Sequence, residues 1–211
     1  MDVRSFTVGP VAENCHIARR AGAREAVMID PGDEPDRLLA AVDALGVSVE
    51  AILLTHTHFD HIGAVAPVAR ATGAPVWCPE LEVPVLADIM RYVPWPGFGP
   101  FESYEADHTV AGGETLQLAG LEIEVLFTPG HSPGHVTYAI DGQLFSGDVL
   151  FQGSVGRTDL PGGDWPTLAQ SIAGLLDAYP DETQVFPGHM GVTTLGRERA
   201  TNPFLQELAG R

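Results

Sequence analysis

The segment Thr55-His56-Thr57-His58-Phe59-Asp60-His61 follows directly on an apolar run, Ala51–Leu54. An apolar run of strand length that stops at a polar cluster reads as a strand buried on both faces, so the chain must build layers on either side of it. In extended chain, residues two apart share a face, which aims His56 and His58 the same way. Asp60 and His61, at the turn that follows, reach a neighbouring point. Imidazole and carboxylate together suit zinc, iron and manganese. The alternative is a solvated polar loop, which has no need of four such groups within six positions.

Three more candidates lie downstream in matched settings. His131 follows Thr128-Pro129-Gly130, Asp148 follows Phe145-Ser146-Gly147, and His189 follows Phe186-Pro187-Gly188. Singly, each is an ordinary turn residue; the repeated order of apolar strand, glycine and ligand-type side chain sets them apart.

The pattern around these points predicts strands at Ser5–Val8, Cys15–Ala18, Ala26–Ile29, Ala51–Leu54, Pro75–Cys78, Glu114–Leu118, Leu121–Phe127, Val136–Ile140, Gln143–Ser146 and Thr183–Phe186. Apolar spacing predicts helices at Glu34–Leu45, Ile62–Ala71, Pro166–Ala178 and Arg197–Leu208. Tyr92–Pro100 and Gly153–Asp164 read as loops. Strands and helices in both halves, with polar clusters just past strand ends, suggest two sheets face to face with helices outside. No linker or repeat divides the chain, so residues 1–211 are expected to form one domain.

Charge narrows the function further. With 28 Asp and Glu against 11 Lys and Arg, the net charge is −17. Such a field repels phosphate backbones and anionic lipid heads, so neither a nucleic acid nor a membrane is an expected partner. Cys15 and Cys78 lack CxxC or ribbon spacing and read as core thiols. The absence of a basic, apolar leader and of a long apolar span points to a cytoplasmic protein.

The ligand pattern resembles the metallo-β-lactamase superfamily over essentially the whole chain. The resemblance implies an α/β fold, the four-layer αββα sandwich, with the metals at one edge of the sheets. It also implies a first divalent ion held by His56, His58 and His131, a second by Asp60, His61 and His189, and Asp148 bridging them. Zinc is the expected identity, with iron or manganese as alternatives. Asp60 would be catalytic as well, orienting the nucleophilic water or taking its proton.

Within that superfamily, the loop from Phe151 to Asp164 and the late Thr201-Asn202-Pro203-Phe204-Leu205 look most like the short bacterial form of glyoxalase II, which cleaves glutathione thioesters such as S-lactoylglutathione. Longer members carry Lys and Tyr in that loop, where this chain has Arg157 and Asp159. The resemblance to the short form implies a small-molecule thioester as partner, and a homo-oligomer is an open alternative to a monomer. A Gly-Arg-Thr-Asp stretch also occurs in the persulfide dioxygenases, which use one iron on the same fold. A hydrolase of another small ester or lactone is a further alternative.

Arg157 is the candidate substrate contact, because an Arg in a chain so short of positive charge suits a carboxylate. Its rival role is to pin the loop by pairing with Asp159 or Asp164. His16 and His108 read as solvent-exposed or locally hydrogen-bonded, and His135 as a group that orients a ligand or a strand. Trp95, Phe98 and Phe101 either roof a pocket or pack their loop onto the body.

Overall fold

The computed structural model describes residues 1–93 and 95–209. Its first half runs β1 (Asp2–Val8), β2 (Glu13–Arg19), β3 (Glu25–Ile29), α1 (Pro35–Leu45), β4 (Ser48–Leu53), α2 (Phe59–Ile62), α3 (Val65–Thr72) and β5 (Val76–Pro79). A 3-10 turn (Glu80–Glu82), α4 (Val83–Leu86), α5 (Ile89–Tyr92) and β6 (His108–Val110) close that half. The second comprises β7 (Thr115–Leu118), β8 (Leu121–Phe127), β9 (Val136–Ile140), β10 (Gln143–Gly147), β11 (Leu150–Phe151), β12 (Ser154–Val155), α6 (Trp165–Ala178), β13 (Gln184–Pro187), β14 (Thr193–Thr194), α7 (Leu195–Thr201) and α8 (Pro203–Ala209).

β1 to β6 form one sheet in chain order, antiparallel over its first three strands and parallel over the rest. The second sheet has the order β14-β13-β10-β9-β8-β7. Side-chain alternation explains why both are covered on two faces. In β3 and β4, Val27, Ile29, Ala51 and Leu53 point inward and meet Ile123, Val125, Tyr138 and Phe145 of the other sheet. Their neighbours Met28 and Ile52 point outward, onto Leu38, Val42, Val65 and Val68 of α1 and α3. On the far side, Leu144 and Val185 pack against Leu168, Ile172 and Leu175 of α6. The result is the four-layer αββα sandwich, in a single domain.

Several elements depart from expectation. The helix expected over Ile62–Ala71 is two helices separated at Gly63-Ala64, so that Phe59–Ile62 can turn Asp60 and His61 towards the strand ends. Gly63 cannot carry a side chain there, since its Cβ would lie 2.7 Å from the Phe101 ring. The closing helix is likewise two, interrupted at Asn202-Pro203, where Asn202 turns its amide to the Ser154 carbonyl at 2.9 Å. The helical stretch from Glu80 to Tyr92 and the edge strand β6 carry too short a period to be read from sequence. Among the described residues, no helix is long and apolar enough to cross a membrane.

Candidate metal centre

All seven ligand-type residues converge where the two sheets open at one edge. The anchor of the first segment is Asp30, at the end of β3, which the sequence presents only as part of a turn. Its carboxylate accepts from the Thr55 backbone N–H at 2.8 Å and the Thr55 hydroxyl at 2.6 Å. From that fixed point the chain runs extended to His58, and α2 then brings round Asp60 and His61. The imidazole of His61 donates from Nδ1 to Asp30 at 3.0 Å.

The other three residues arrive from the second sheet. His131 donates from Nδ1 to the Arg157 carbonyl at 2.7 Å. Asp148 is aimed by His135, whose Nε2 accepts from the Asp148 backbone N–H at 3.1 Å. His189 sits in a turn clamped by Asn14 of β2, whose amide donates to the carbonyls of Pro187 at 3.1 Å and Met190 at 2.9 Å. Gly188 beside it must be glycine, because a Cβ would come within 2.4 Å of Asp148 Oδ1.

Three groups of ligand-type atoms result: the triads His56–His58–His131 and Asp60–His61–His189, and Asp30–His56–His61, in which Asp30 is spent on Thr55 and on His61 Nδ1. In the first, His131 Nε2 lies 2.8 Å from His58 Nδ1 and 3.2 Å from His56 Nε2, and the latter two atoms are 3.1 Å apart. In the second, Asp60 Oδ2 lies 3.3 Å from His189 Nε2 and 3.9 Å from His61 Nε2. Asp148 stands between them, with Oδ2 3.4 Å from His131 and Oδ1 3.3 Å from His61.

Hydrogen bonding determines which ring nitrogens carry protons. His131 gives its Nδ1 proton to a carbonyl, so its Nε2 is bare. Thr55 spends its hydroxyl proton on Asp30 and can only accept from His56 Nδ1, 3.1 Å away, which leaves His56 Nε2 bare as well. Two lone pairs thus face each other, a repulsive arrangement that a cation between them reverses. Nitrogens held about 2.0–2.1 Å from a tetrahedral zinc would stand roughly 3.3 Å apart, close to the spacing here. Burial and the neighbouring imidazoles push the His56 pKa well below its usual value, and burial brings His58 to about 4, so both rings are neutral. The second triad lies among carboxylates that favour positive charge. Burial opposes charge on His61, yet Asp148, Asp30 and Asp60 together hold its pKa well above normal, and its Nε2 and Asp148 Oδ1 are buried without a hydrogen-bond partner. The residues therefore fit two cations.

A cleft of about 710 Å³ opens over this centre, lined by His58, Asp60 and Asp148 at its floor. Arg157 is on its wall, but its fork is taken by Asp159 in two hydrogen bonds of 2.7 Å, and its guanidinium lies 5.5 Å from the Trp95 ring centroid. Trp95 borders the cleft, whereas Phe98 and Phe101 pack on Phe59, with ring centroids 4.8 and 5.7 Å away. His16 is not solvent-exposed as one alternative had it. It is buried and bonded to Ser5 at 2.8 Å and near the Pro187 carbonyl at 3.2 Å. His108 is exposed and stacks on Trp77. Both cysteines are buried and unpaired. Asp30, Asn14 and Glu82 escaped sequence reasoning, since an isolated polar residue at a strand end gives no periodic signal. Glu82 is buried and accepts from Thr57, Ser132 and the Gly134 N–H, which ties the two halves of the cleft floor together.

Residues 8–189 match the family described as the metallo-beta-lactamase superfamily. The chain belongs to this superfamily. Among curated relatives of this superfamily protein is a Haemophilus influenzae protein named hydroxyacylglutathione hydrolase GloC, 34% identical, with 97% of this chain and 98% of the relative covered. Among solved structures, BLEG-1 B3 metallo-beta-lactamase is 38% identical with a TM-score of 0.91, covering 97% of this chain and 99% of that one. A structure of TTHA1623, described as a di-iron-bound form, is 44% identical with a TM-score of 0.84, covering 96% and 100%. This superfamily protein is thus a metal-dependent hydrolase, and its fold implies divalent ions.

Proposed function

We propose that this chain hydrolyses a thioester, with S-lactoylglutathione as the reference substrate, at a centre of two divalent ions. The observation that carries the proposal is the position of Asp148, within 3.4 Å of a ligand from each triad. Residues His56, His58 and His131 would hold one ion, Asp60, His61 and His189 the other, and Asp148 would bridge. Bound divalent ions supply an acidified water and polarise a carbonyl. Zinc is the proposed identity, and the likeness to the di-iron form of TTHA1623 keeps iron, then manganese, as alternatives.

The chain's own contribution is to orient. Asp60, 15% exposed on its side chain, is the carboxylate in the second triad that faces the cleft, and it accepts the proton of the attacking water. Water adds to the carbonyl carbon, the C–S bond breaks, and a carboxylic acid and a thiol leave. A thiolate departs with little need of a proton, so no separate general acid is required. Arg157 borders the mouth of the cleft with its fork held by Asp159 and one face on Trp95, so it would grip a substrate there only by giving up the Asp159 pair.

The likeness to GloC supports the thioester class, and two complete triads favour hydrolysis over the single-iron persulfide dioxygenase. The test is the metal content of protein purified without added metal, combined with three assays: S-lactoylglutathione hydrolysis, oxygen uptake with glutathione persulfide, and hydrolysis of a β-lactam. Two ions and thioester turnover are expected. One iron with oxygen uptake would overturn the reaction class, and a β-lactam turned over faster than any thioester would overturn the substrate.

A further inference from the structure

Away from the metal centre, the cleft is walled by hydrocarbon. Leu81 and Val85 of the helical stretch after β5 line it together with Trp95 and Leu160, and Ile89 is buried behind them. Leu81 and Trp95 are 59% and 40% exposed, and apolar groups of that size left open beside a catalytic floor mark a binding surface.

The charges of the cleft are not equally free. Asp60 and Asp148 belong to the centre, the Glu82 carboxylate is engaged by three donors, and Arg157 is neutralised by Asp159. Arg91 remains. Among the described residues its guanidinium pairs with no carboxylate and lies 5.8 Å from the Tyr92 ring centroid. An Arg left uncompensated at an apolar cleft, in a chain of net charge −17, is a fitting receptor for a single carboxylate.

We propose that the cleft selects thioesters whose hydrocarbon arm ends in a carboxylate. The arm lies on Leu81, Val85 and Trp95, and the carboxylate meets Arg91. The proposal rests on the thioester reading and names the substrate class of the same site.

The test compares the S-acetyl, S-octanoyl and S-suberyl thioesters of N-acetylcysteamine on the metal-loaded enzyme, alongside S-lactoylglutathione. From acetyl to octanoyl, kcat/KM should rise by about threefold to fourfold for each methylene that the wall covers. The suberyl ester, with its terminal carboxylate, should exceed the octanoyl ester by about tenfold. Arg91→Ala should bring that ratio to about one, and Leu81→Ser, at an exposed position, should flatten the chain-length dependence. A suberyl advantage that survives Arg91→Ala, or no dependence on chain length in the wild type, overturns the proposal. Calorimetry with suberate and octanoate separates it from the reaction class. If no thioester is turned over but suberate binds more tightly than octanoate, and only when Arg91 is present, arm recognition stands and thioester hydrolysis falls. Equal binding of the two acids overturns the arm recognition itself.

Discussion

His61 Nε2 and Asp148 Oδ1 face each other at 3.3 Å, both buried and neither hydrogen-bonded. The histidine comes from α2, just past the first sheet, and the aspartate from the residue after β10 of the second, so a cation held there would tie the two halves together. Asp148→Ala should lower the occupancy of both ions and cut turnover by orders of magnitude while the fold persists. Metal analysis and circular dichroism read the two effects separately, and a variant that keeps two ions and near-normal activity would refute the bridging role.

Removing the ions should weaken the whole domain. A ligand that binds only the folded state stabilises it by mass action, about 2.7 kcal/mol at a hundredfold excess over Kd. Stripping the protein with a chelator should therefore lower Tm by several degrees, and adding back zinc, iron or manganese should restore it. An unchanged Tm in calorimetry, with metal loss verified, would contradict the fit of the triads to cations.

Asp60→Asn keeps volume and removes charge. Because His189 holds the Asp60 carboxyl below its usual pKa against the effect of burial, the wild-type group is ionised throughout the neutral range. The variant should lose kcat much more than substrate affinity, with a lower occupancy of the second ion. An unaltered kcat and pH–rate profile would remove Asp60 from the reaction.

Asp30 touches no proposed ion, yet it orients His61 and fixes Thr55. Asp30→Asn should reduce metal affinity by about 10–100-fold, the usual cost of losing such a supporting partner, with KM changed far less than occupancy. Titration of the stripped protein with zinc measures this directly; wild-type affinity in the variant would show that His61 needs no such support.

Gly188→Ala drives a methyl into Asp148 Oδ1 and to 2.6 Å from His61 Cε1, so activity and metal content should both collapse. Gly174→Ala is the contrasting case. Gly174 is exposed on α6, a methyl group added there meets nothing within 4 Å, and the substitution should stabilise the protein by about 0.5–1 kcal/mol. Urea unfolding of both variants checks the pair.

The layers and the ligand set were legible because they rest on period and recurrence. Val27, Ile29, Ala51 and Leu53 alternate with outward apolar neighbours, and the three downstream ligands each repeat the same strand-to-glycine setting. What escaped was set by contacts remote in sequence. Asn14 acts on a turn more than 170 residues away, Glu82 gathers donors from two loops, and Arg91 matters only because Arg157 is already paired. Gly63 similarly must be glycine because the Gly32 carbonyl and the Phe101 ring close over it, which no local pattern announces.

The contact of Asn14 with the turn carrying His189 also has a bearing on how the protein is made. The first triad needs His131, and the second needs His189 against β2, more than 170 residues earlier in the sequence. A nascent polypeptide leaving the ribosome exposes its histidine-rich segment long before the partners from the second sheet exist. Such non-local pairing is slow to form and comes last. Capture of the second ion is therefore tied to the synthesis of β13 and the turn after it, and a product truncated before β13 would keep His56, His58 and His131 but lack His189.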